Sequence, residues 1–332
     1  MKAMIYRRYG GPDVVAPATL PRPEPGPGEL LIRVRAASVT TADWRLRAAA
    51  FPGIMQIPGR LMFGLTRPRN PILGMDFAGE VAATGPGVEG FATDDRVFGF
   101  SGGGAHAEYL TVKAAAAVAP IPAGLDFAEA AALPFGGLAA LTFLRDFGGL
   151  QPGQRVLILG ASGGVGAYAV QIARHIGADV TAVASAANHA LLRDLGAART
   201  IDYRQQDPLS GGPYDLILDT VGATGFAAAR RALTPNGLFL PLNFGLREML
   251  QALRARLTGG RRIRIAVNED KREDLDTLAD LVHEGALRPV IDSRYPLEAL
   301  PEAYLHVESR HRRGAVILDV APDTVPARRQ AC

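Results

Sequence analysis

The sequence predicts an α/β protein, with a doubly wound parallel sheet in its middle and a compact β-barrel in its first third. Three observations carry this expectation. From "RVLIL" at 155–159 onward, near-continuous apolar strands alternate with helical stretches, the rhythm of a parallel sheet covered on both faces. The first third instead holds short strands separated by Gly-rich turns such as "GPGVEG" and "SGGGAH". Between the first apolar strand and the helix after it stands "GASGGVG", a glycine cluster where such sheets usually hold a phosphate.

At 332 residues the chain has room for two domains of ordinary size. Hydrophobic residues make up 48% and charged residues 21%, the profile of a soluble globular protein. No apolar run approaches bilayer length and "MKAMIYRRYGG" has no signal-peptide core, so the expectation is a cytoplasmic protein without a membrane partner. The single cysteine, Cys332, can form no internal disulfide and no thiolate zinc site. The net charge of +3 and pI of about 9.2 come from arginine. Solvated surface arginines explain that excess, and no nucleic-acid partner is expected from it.

In the first third, "GELLIRVRAASV" alternates, with Ile32, Val34 and Ala36 on one face and Arg33 and Arg35 on the other. Further strands are expected at "GEVAATG", "DRVFGF" and "HAEYLTV". Asp126 and Glu129 have the spacing of a capping box, opening a helix that Pro134 should interrupt. Strands follow at "RVLILG", "DVTAVA", "ARTIDY", "YDLILDTV" and "GLFLPLN", with helices starting near Gly164, Asn188 and Thr224 and a helix end at Gly196. Leu246, Met249, Leu250, Leu253 and Leu257 share one helical face, and Arg254, Arg256, Arg261, Arg262 and Arg264 crowd its end. With Gly259 and Gly260 breaking that helix, residues 246–265 are expected to form a mobile flap. A helix over about 274–284, the segment "RPVIDSRYPL", one more helix and the strand "GAVILDV" complete the order, with "APDTVPARRQAC" as a frayed tail.

The glycine stretch reads Ala161-x-Gly163-x-x-Gly166. The first small residue permits the turn, Gly163 lets backbone approach a pyrophosphate, and Gly166 lets helix and strand pack closely. The helix then offers free N–H groups and its positive dipole end to the anion. Such turns also serve packing alone, but the strand–turn–helix context favours a dinucleotide. NAD sites end the second strand with an acid on the ribose 2′-OH. Here that strand ends in Ser185-Ala186-Ala187, so NADPH is the expected cofactor, with Ser185 either donating to a 2′-phosphate or only capping the next helix.

Taken together, these motifs resemble the medium-chain dehydrogenase/reductase superfamily, in its zinc-free quinone oxidoreductase-like branch. The resemblance runs nearly end to end, through "AASVTTADWRLR", "ILGMDFAGEV", "LDFAEAAALPFGGLAALTFL", "VLILGASGGVGAYAVQIAR", "YDLILDTVG" and "RPVIDSRYPLEALPEAYLHVESRHRRGAVIL". It implies a GroES-like barrel built from both chain ends (1–120 and 286–332), a Rossmann domain between them (121–285), a cleft active site and a homodimer. Zinc-dependent relatives carry Cys where Thr40 stands, and Gly-His-Glu where Gly74, Met75 and Asp76 stand, so the resemblance implies no metal. The relay hydroxyl of the zinc enzymes falls on Ala42, which has none, and the zinc-free branch often has Asn at Thr40.

The implied cofactor contacts are Ala161, Ser162, Gly163, Gly164, Val165 and Gly166 in the turn. Tyr203 and Arg204 lie near the adenosine phosphate, with Arg204 in place of the arginine that often follows Ser185. Thr220 and Asn243 lie toward the nicotinamide end. His311, Arg312 and Arg313 match a segment reaching back over the cofactor, or form a solvated basic turn. Thr40 is the candidate donor to a substrate carbonyl, with Asp43 as its orienting acceptor. His106, Trp44, Tyr9, Tyr109 and Tyr168 read as packing residues. The function expected is an NADPH-dependent, zinc-independent reductase of an enone or quinone C=C bond, turning over a small-molecule substrate. An enoyl or tailoring reductase on a bulky acyl or natural-product substrate is the alternative, with the insert "FPGIMQIPGRLMFGLTRPRNP" shaping its pocket. A non-catalytic nucleotide-sensing or nucleic-acid-binding protein is the alternative of another class.

Overall fold

The computed structural model of the chain describes residues 1–51, 56–258 and 262–321, and of 256–258 only the backbone. Gly259, Gly260, Arg261, residues 322–332 with Cys332, which the sequence expects to fray, and the side chains of Arg256 and Leu257 therefore lie outside the described residues. The chain opens with an antiparallel pair, β1 (Lys2–Tyr6) and β2 (Val15–Thr19). The long strand β3 (Glu29–Val39) follows, then helices α1 (Thr41–Ala48) and α2 (Gln56–Phe63). Four strands complete this part: β4 (Asp76–Thr84), β5 (Arg96–Phe100), β6 (Tyr109–Lys113) and β7 (Val118–Pro120). Along β3 the expected alternation holds. Ile32, Val34 and Ala36 are buried, while Arg33 and Arg35 turn outward to share the Glu80 carboxylate.

The crossing to the second layer is made by α3 (Phe127–Ala131) and α4 (Pro134–Thr142). Asp126 accepts from the Glu129 N–H at 2.7 Å and Glu129 from the Asp126 N–H at 2.9 Å, so the capping box forms as its spacing requires. Pro134 occupies the first turn of α4, where a missing N–H costs nothing.

Strands and helices then alternate. They are β8 (Arg155–Leu159), α5 (Gly166–Ile176), β9 (Asp179–Ala184), α6 (His189–Asp194), β10 (Arg199–Asp202), β11 (Tyr214–Asp219), α7 (Phe226–Ala229) and β12 (Leu233–Pro241). Helix α8 (Leu246–Thr258), strand β13 (Arg262–Ile263) and helix α9 (Arg272–His283) follow. The six strands form one parallel sheet in the order β10-β9-β8-β11-β12-β13. The order reverses between β8 and β11, the crevice where such sheets bind ligands.

The chain returns to the barrel through β14 (Ile291–Pro296), α10 (Leu300–Glu308) and β15 (Ala315–Asp319). β15 pairs antiparallel with β3, so the seven-stranded sheet β14-β15-β3-β4-β5-β7, with β6 also on β3, draws on both chain ends. Its side chains close around their own core with α10, separate from the core under the parallel sheet.

Two features depart from the sequence reading. The segment 262–263 is not a free flap: β13 extends the sheet beyond β12, with Ile263 buried. On α8 the apolar face is the outer one. Leu246, Met249, Leu250 and Leu253 are exposed, while Ala252 and Ala255 turn to the sheet. A periodic pattern shows that a helix has two faces but not which one finds a neighbour.

Candidate active site

The glycine turn links β8 to α5 at the crevice. The positive φ of +75° falls at Gly160, one residue before the Ala161 to which the sequence assigns the turn; Ala161 is buried and its N–H donates to the Val183 carbonyl. A Cβ at Gly160 would come within 2.6 Å of Thr220 Oγ1. At Gly166 a Cβ would lie 2.2 Å from the Gly160 carbonyl oxygen, so only glycine lets the helix start this close to the strand. At Gly163 the nearest atom would be 3.4 Å away, which leaves an open approach. Among the described residues the N–H groups of Gly164 and Val165 meet no acceptor, and both point from the start of an 11-residue helix.

The C-terminal strap closes on this turn. Gly314 N–H donates to the Ser162 carbonyl at 2.9 Å, and Gly163 and Gly314 form a parallel bridge. Arg312 reaches inward: its Nη1 donates to the Val39 carbonyl at 3.1 Å and its Nη2 to Thr41 Oγ1 at 3.0 Å. That Nη2 lies 3.5 Å from where a Cβ of Gly164 would stand. Burial pushes the guanidinium down to about 10, with Asp292 and Asp43 pulling the other way. It still carries its charge at neutral pH, beside two free N–H groups. Of the expected trio, His311 and Arg313 lie at the surface, the solvated alternative for this turn. Both are exposed, and Arg313 contributes only its backbone N–H, to Asp292.

The residues assigned to the adenosine end do meet. Ala184 and Asp202 are paired across β9 and β10, so Ser185 and Tyr203 follow side by side on the rim. Ser185 makes no helix-cap bond with its hydroxyl, which leaves that proton to donate. Tyr203 and Arg204 are exposed, with the guanidinium 5.7 Å from the tyrosine ring centre. Asp202, which ends β10, was not foreseen; its Oδ1 accepts from the Arg204 N–H at 3.0 Å.

At the other end of the crevice, Thr220 Oγ1 donates to the Leu159 carbonyl at 2.8 Å. The loop beyond it is held by Asp219, fully buried, which accepts from the N–H groups of Val221, Gly222, Ala223 and Thr224 at 2.8–3.1 Å. Asn243 Oδ1 accepts from Arg45 Nη2 at 2.7 Å, tying α1 of the barrel to the end of β12. Arg45 was not singled out, since nothing local in the sequence marks a bond across 198 residues.

Thr40 and Asp43 sit in the barrel wall facing this crevice. Thr40 is the N-cap of α1; its hydroxyl donates to Asp43 Oδ2 at 2.6 Å, and its N–H does so at 2.8 Å. Asp43 Oδ1 accepts from Gly74 N–H. The expected role of Thr40 as donor to a substrate carbonyl is therefore corrected. A hydroxyl has one proton, and this one is committed to Asp43.

A different group fills that place. Asp76 is buried; Ser38 Oγ donates to its Oδ2 at 2.6 Å and Phe135 N–H at 3.3 Å, while Oδ1 has no partner. Burial holds this carboxyl well above the carboxylate range, Asp43 reinforces the effect, and the hydrogen bonds from Ser38 and Phe135 oppose it. Asp76 lines one cavity together with Thr40, Phe135, Gly136, Gly164 and Arg312. The chain thus places a buried carboxyl group with an unpartnered oxygen opposite the glycine turn. His106 is buried with a lowered pKa from burial and makes one bond, to the Ser38 carbonyl. Tyr168, Tyr9 and Trp44 pack or cap, as read from the sequence. Tyr109 sits under Arg22.

A zinc ion does not fit here. Thr40 and Met75 offer no imidazole or thiolate, Thr40 Oγ1 is engaged by Asp43, and burial disfavours the charged form of Asp76. Among the described residues no group of three His, Cys, Asp or Glu side chains could hold a metal.

Residues 26–123 match the alcohol dehydrogenase GroES-like domain family, and residues 195–318 the family described as zinc-binding dehydrogenase. The chain is 32% identical to quinone-oxidoreductase QR1, chloroplastic, of Triphysaria versicolor, over 96% of this chain and 98% of that protein. The solved quinone oxidoreductase from Coxiella burnetii matches with a TM-score of 0.85 at 30% identity, covering 97% of this chain and 99% of that one. A mycobacterial protein complexed with NADPH matches with a TM-score of 0.80 at 26% identity, over 96% and 100% of the two chains.

Proposed function

Since the chain belongs to the quinone oxidoreductase-like branch of the medium-chain dehydrogenase/reductase superfamily, as an oxidoreductase with a nicotinamide cofactor, we propose that it is an NADPH-dependent, zinc-independent reductase of an activated C=C bond in an enone or quinone. The observation that carries this reading is the cavity between Arg312 and Gly164 on one side and Asp76 on the other, with no metal donor set beside it.

The free N–H groups of Gly164 and Val165, the N-terminus of α5 and the Arg312 guanidinium would hold the pyrophosphate. Ser185, Tyr203 and Arg204 would hold the 2′-phosphate, and Asn243, fixed by Arg45, would border the nicotinamide end. When bound, the cofactor would supply hydride to the β-carbon of the substrate. Charge then grows on the carbonyl oxygen. Asp76 holds a proton at Oδ1 for that oxygen, and Ser38 keeps the carboxyl turned by donating to Oδ2. The Thr40–Asp43 pair fixes the entry to α1 and so the wall carrying Arg45.

A bulkier acyl substrate is the second reading. It is favoured by an apolar cleft next to Asp43, lined by Leu46, Met62, Phe63, Leu73 and Met75. Steady-state NADPH oxidation against short enones, quinones and long-chain enoyl thioesters separates the two. Turnover of ethanol with NADP, and of none of these, would overturn both. A homodimer is part of the proposal, read out by the mass of the protein in solution.

A further inference from the structure

Two helices beside the cleft carry their large apolar side chains outward. On α8 these are Leu246, Met249, Leu250 and Leu253, 43–57% exposed; on α2 and the turn after it they are Ile57, Leu61, Met62 and Leu65, 57–71% exposed. The α8 set falls at i, i+3, i+4 and i+7, one continuous stripe. Both helices start near the bond that joins barrel and sheet. α8 begins three residues after Asn243, and α2 is tied to the end of α1 by Gln56 Nε2 donating to the Ala49 carbonyl at 2.9 Å. Arg45 of α1 and Asn243 are the bonded pair between them.

Arginines accompany both helices. From residue 44 to 75 there are five arginines and no acidic residue; from 246 to 268 there are six arginines and one glutamate. That glutamate, Glu248, is turned to the start of its own helix, where Oε2 accepts from the Gly245 N–H. Arg67, Arg69, Arg247 and Arg254 are exposed. Exposed apolar side chains grouped this way mark an interaction surface. A second copy of the chain would set arginine against arginine, whereas a bilayer offers acyl chains to the leucines and anionic headgroups to the cations.

We propose that the mouth of the cleft, through α2 and α8, docks on the surface of an anionic lipid bilayer. The chain would lie on the bilayer and not cross it; among the described residues no helix is long and apolar enough to span one. This surface role departs from the expectation of no membrane partner, which rested on the absence of a bilayer-length apolar run and of a signal-peptide core.

The test is co-sedimentation of the whole protein with vesicles, without substrate, so its outcome does not depend on the reductase reading. Vesicles of equimolar phosphatidylcholine and phosphatidylglycerol should bind the protein, and pure phosphatidylcholine should bind it at least tenfold less. Leu250→Asp with Leu253→Asp should lower binding more than tenfold, and Arg67→Gln and Arg247→Gln about fivefold each. All of these side chains are exposed, and unchanged NADPH titration checks that the variants fold; Leu253→Gln alone is the milder replacement if the double variant does not. Absence of binding to the anionic vesicles overturns the proposal, as does binding that the leucine variants leave intact. A change in oligomeric state of those variants without vesicles also overturns it, and assigns the face to a second copy.

Discussion

At Thr40 a single hydroxyl proton decides the role: it goes to Asp43, and the donor proposed for the substrate carbonyl is Asp76 instead. Asp76→Asn keeps a donor at that place but no transferable proton. The expected outcome is a loss of about a hundredfold in kcat with NADPH affinity unchanged; an unaltered kcat would place the proton elsewhere. The same variant has a signature in stability. In the parent the unfolded chain releases this proton at lower pH than the folded one, so stability falls as pH rises above the ordinary carboxylate range. Melts from mildly acidic to mildly alkaline pH should show Asp76→Asn gaining on the parent as pH increases. On the opposite rim, Ser185 and Tyr203 each offer one hydrogen bond to a 2′-phosphate, worth roughly 1.5–3 kcal/mol to a charged acceptor. No bidentate arginine clamp follows Ser185, and Arg204 is exposed. NADPH should therefore bind about tenfold to a hundredfold more tightly than NADH. Fluorescence titration should show Ser185→Ala and Arg204→Ala eroding that margin while leaving NADH nearly unchanged.

At the scale of elements, the β8–turn–α5 unit was legible because its constraints are local. Small residues, a strand before and a helix after them leave few alternatives. The detail that escaped was Gly160, since the spacing of the motif is satisfied from Ala161 while the backbone reverses one residue earlier. Gly166→Ala would set a methyl against the Gly160 carbonyl and the Ala161 Cα, both backbone atoms with no room to yield. A loss of about 1–3 kcal/mol in stability is expected, with weaker cofactor binding because the free N–H groups move with the turn. Thermal melts and NADPH titration of this variant check both. Helix α8 teaches the opposite lesson. Its periodicity is plain, yet the alanines face the sheet and the leucines face out.

Across the whole molecule, the two lobes meet where the reaction is proposed, and each lobe contributes what the other lacks. The parallel sheet brings the glycine turn and Asn243; the barrel brings Asp76, Thr40 and, through the chain's last strand, Arg312. Among the described residues no lobe holds a complete metal donor set either. Elemental analysis of the active protein should accordingly find no stoichiometric zinc; zinc that is lost together with activity would refute this. The sequence by itself determined the barrel of the first third, the strand–helix alternation after 155, the capping box at Asp126, the glycine turn and the family, because periodicity, caps and turn glycines act over a few residues. Only the tertiary structure decided that Arg312 and not its neighbours lines the cavity, that Arg45 bonds Asn243, and that Ser38 donates to the buried Asp76. Those pairings join groups as much as 273 residues apart, as Arg312 and Val39 are. Their hydrogen bonds and raised or lowered pKa values exist only once burial strips the water from both partners.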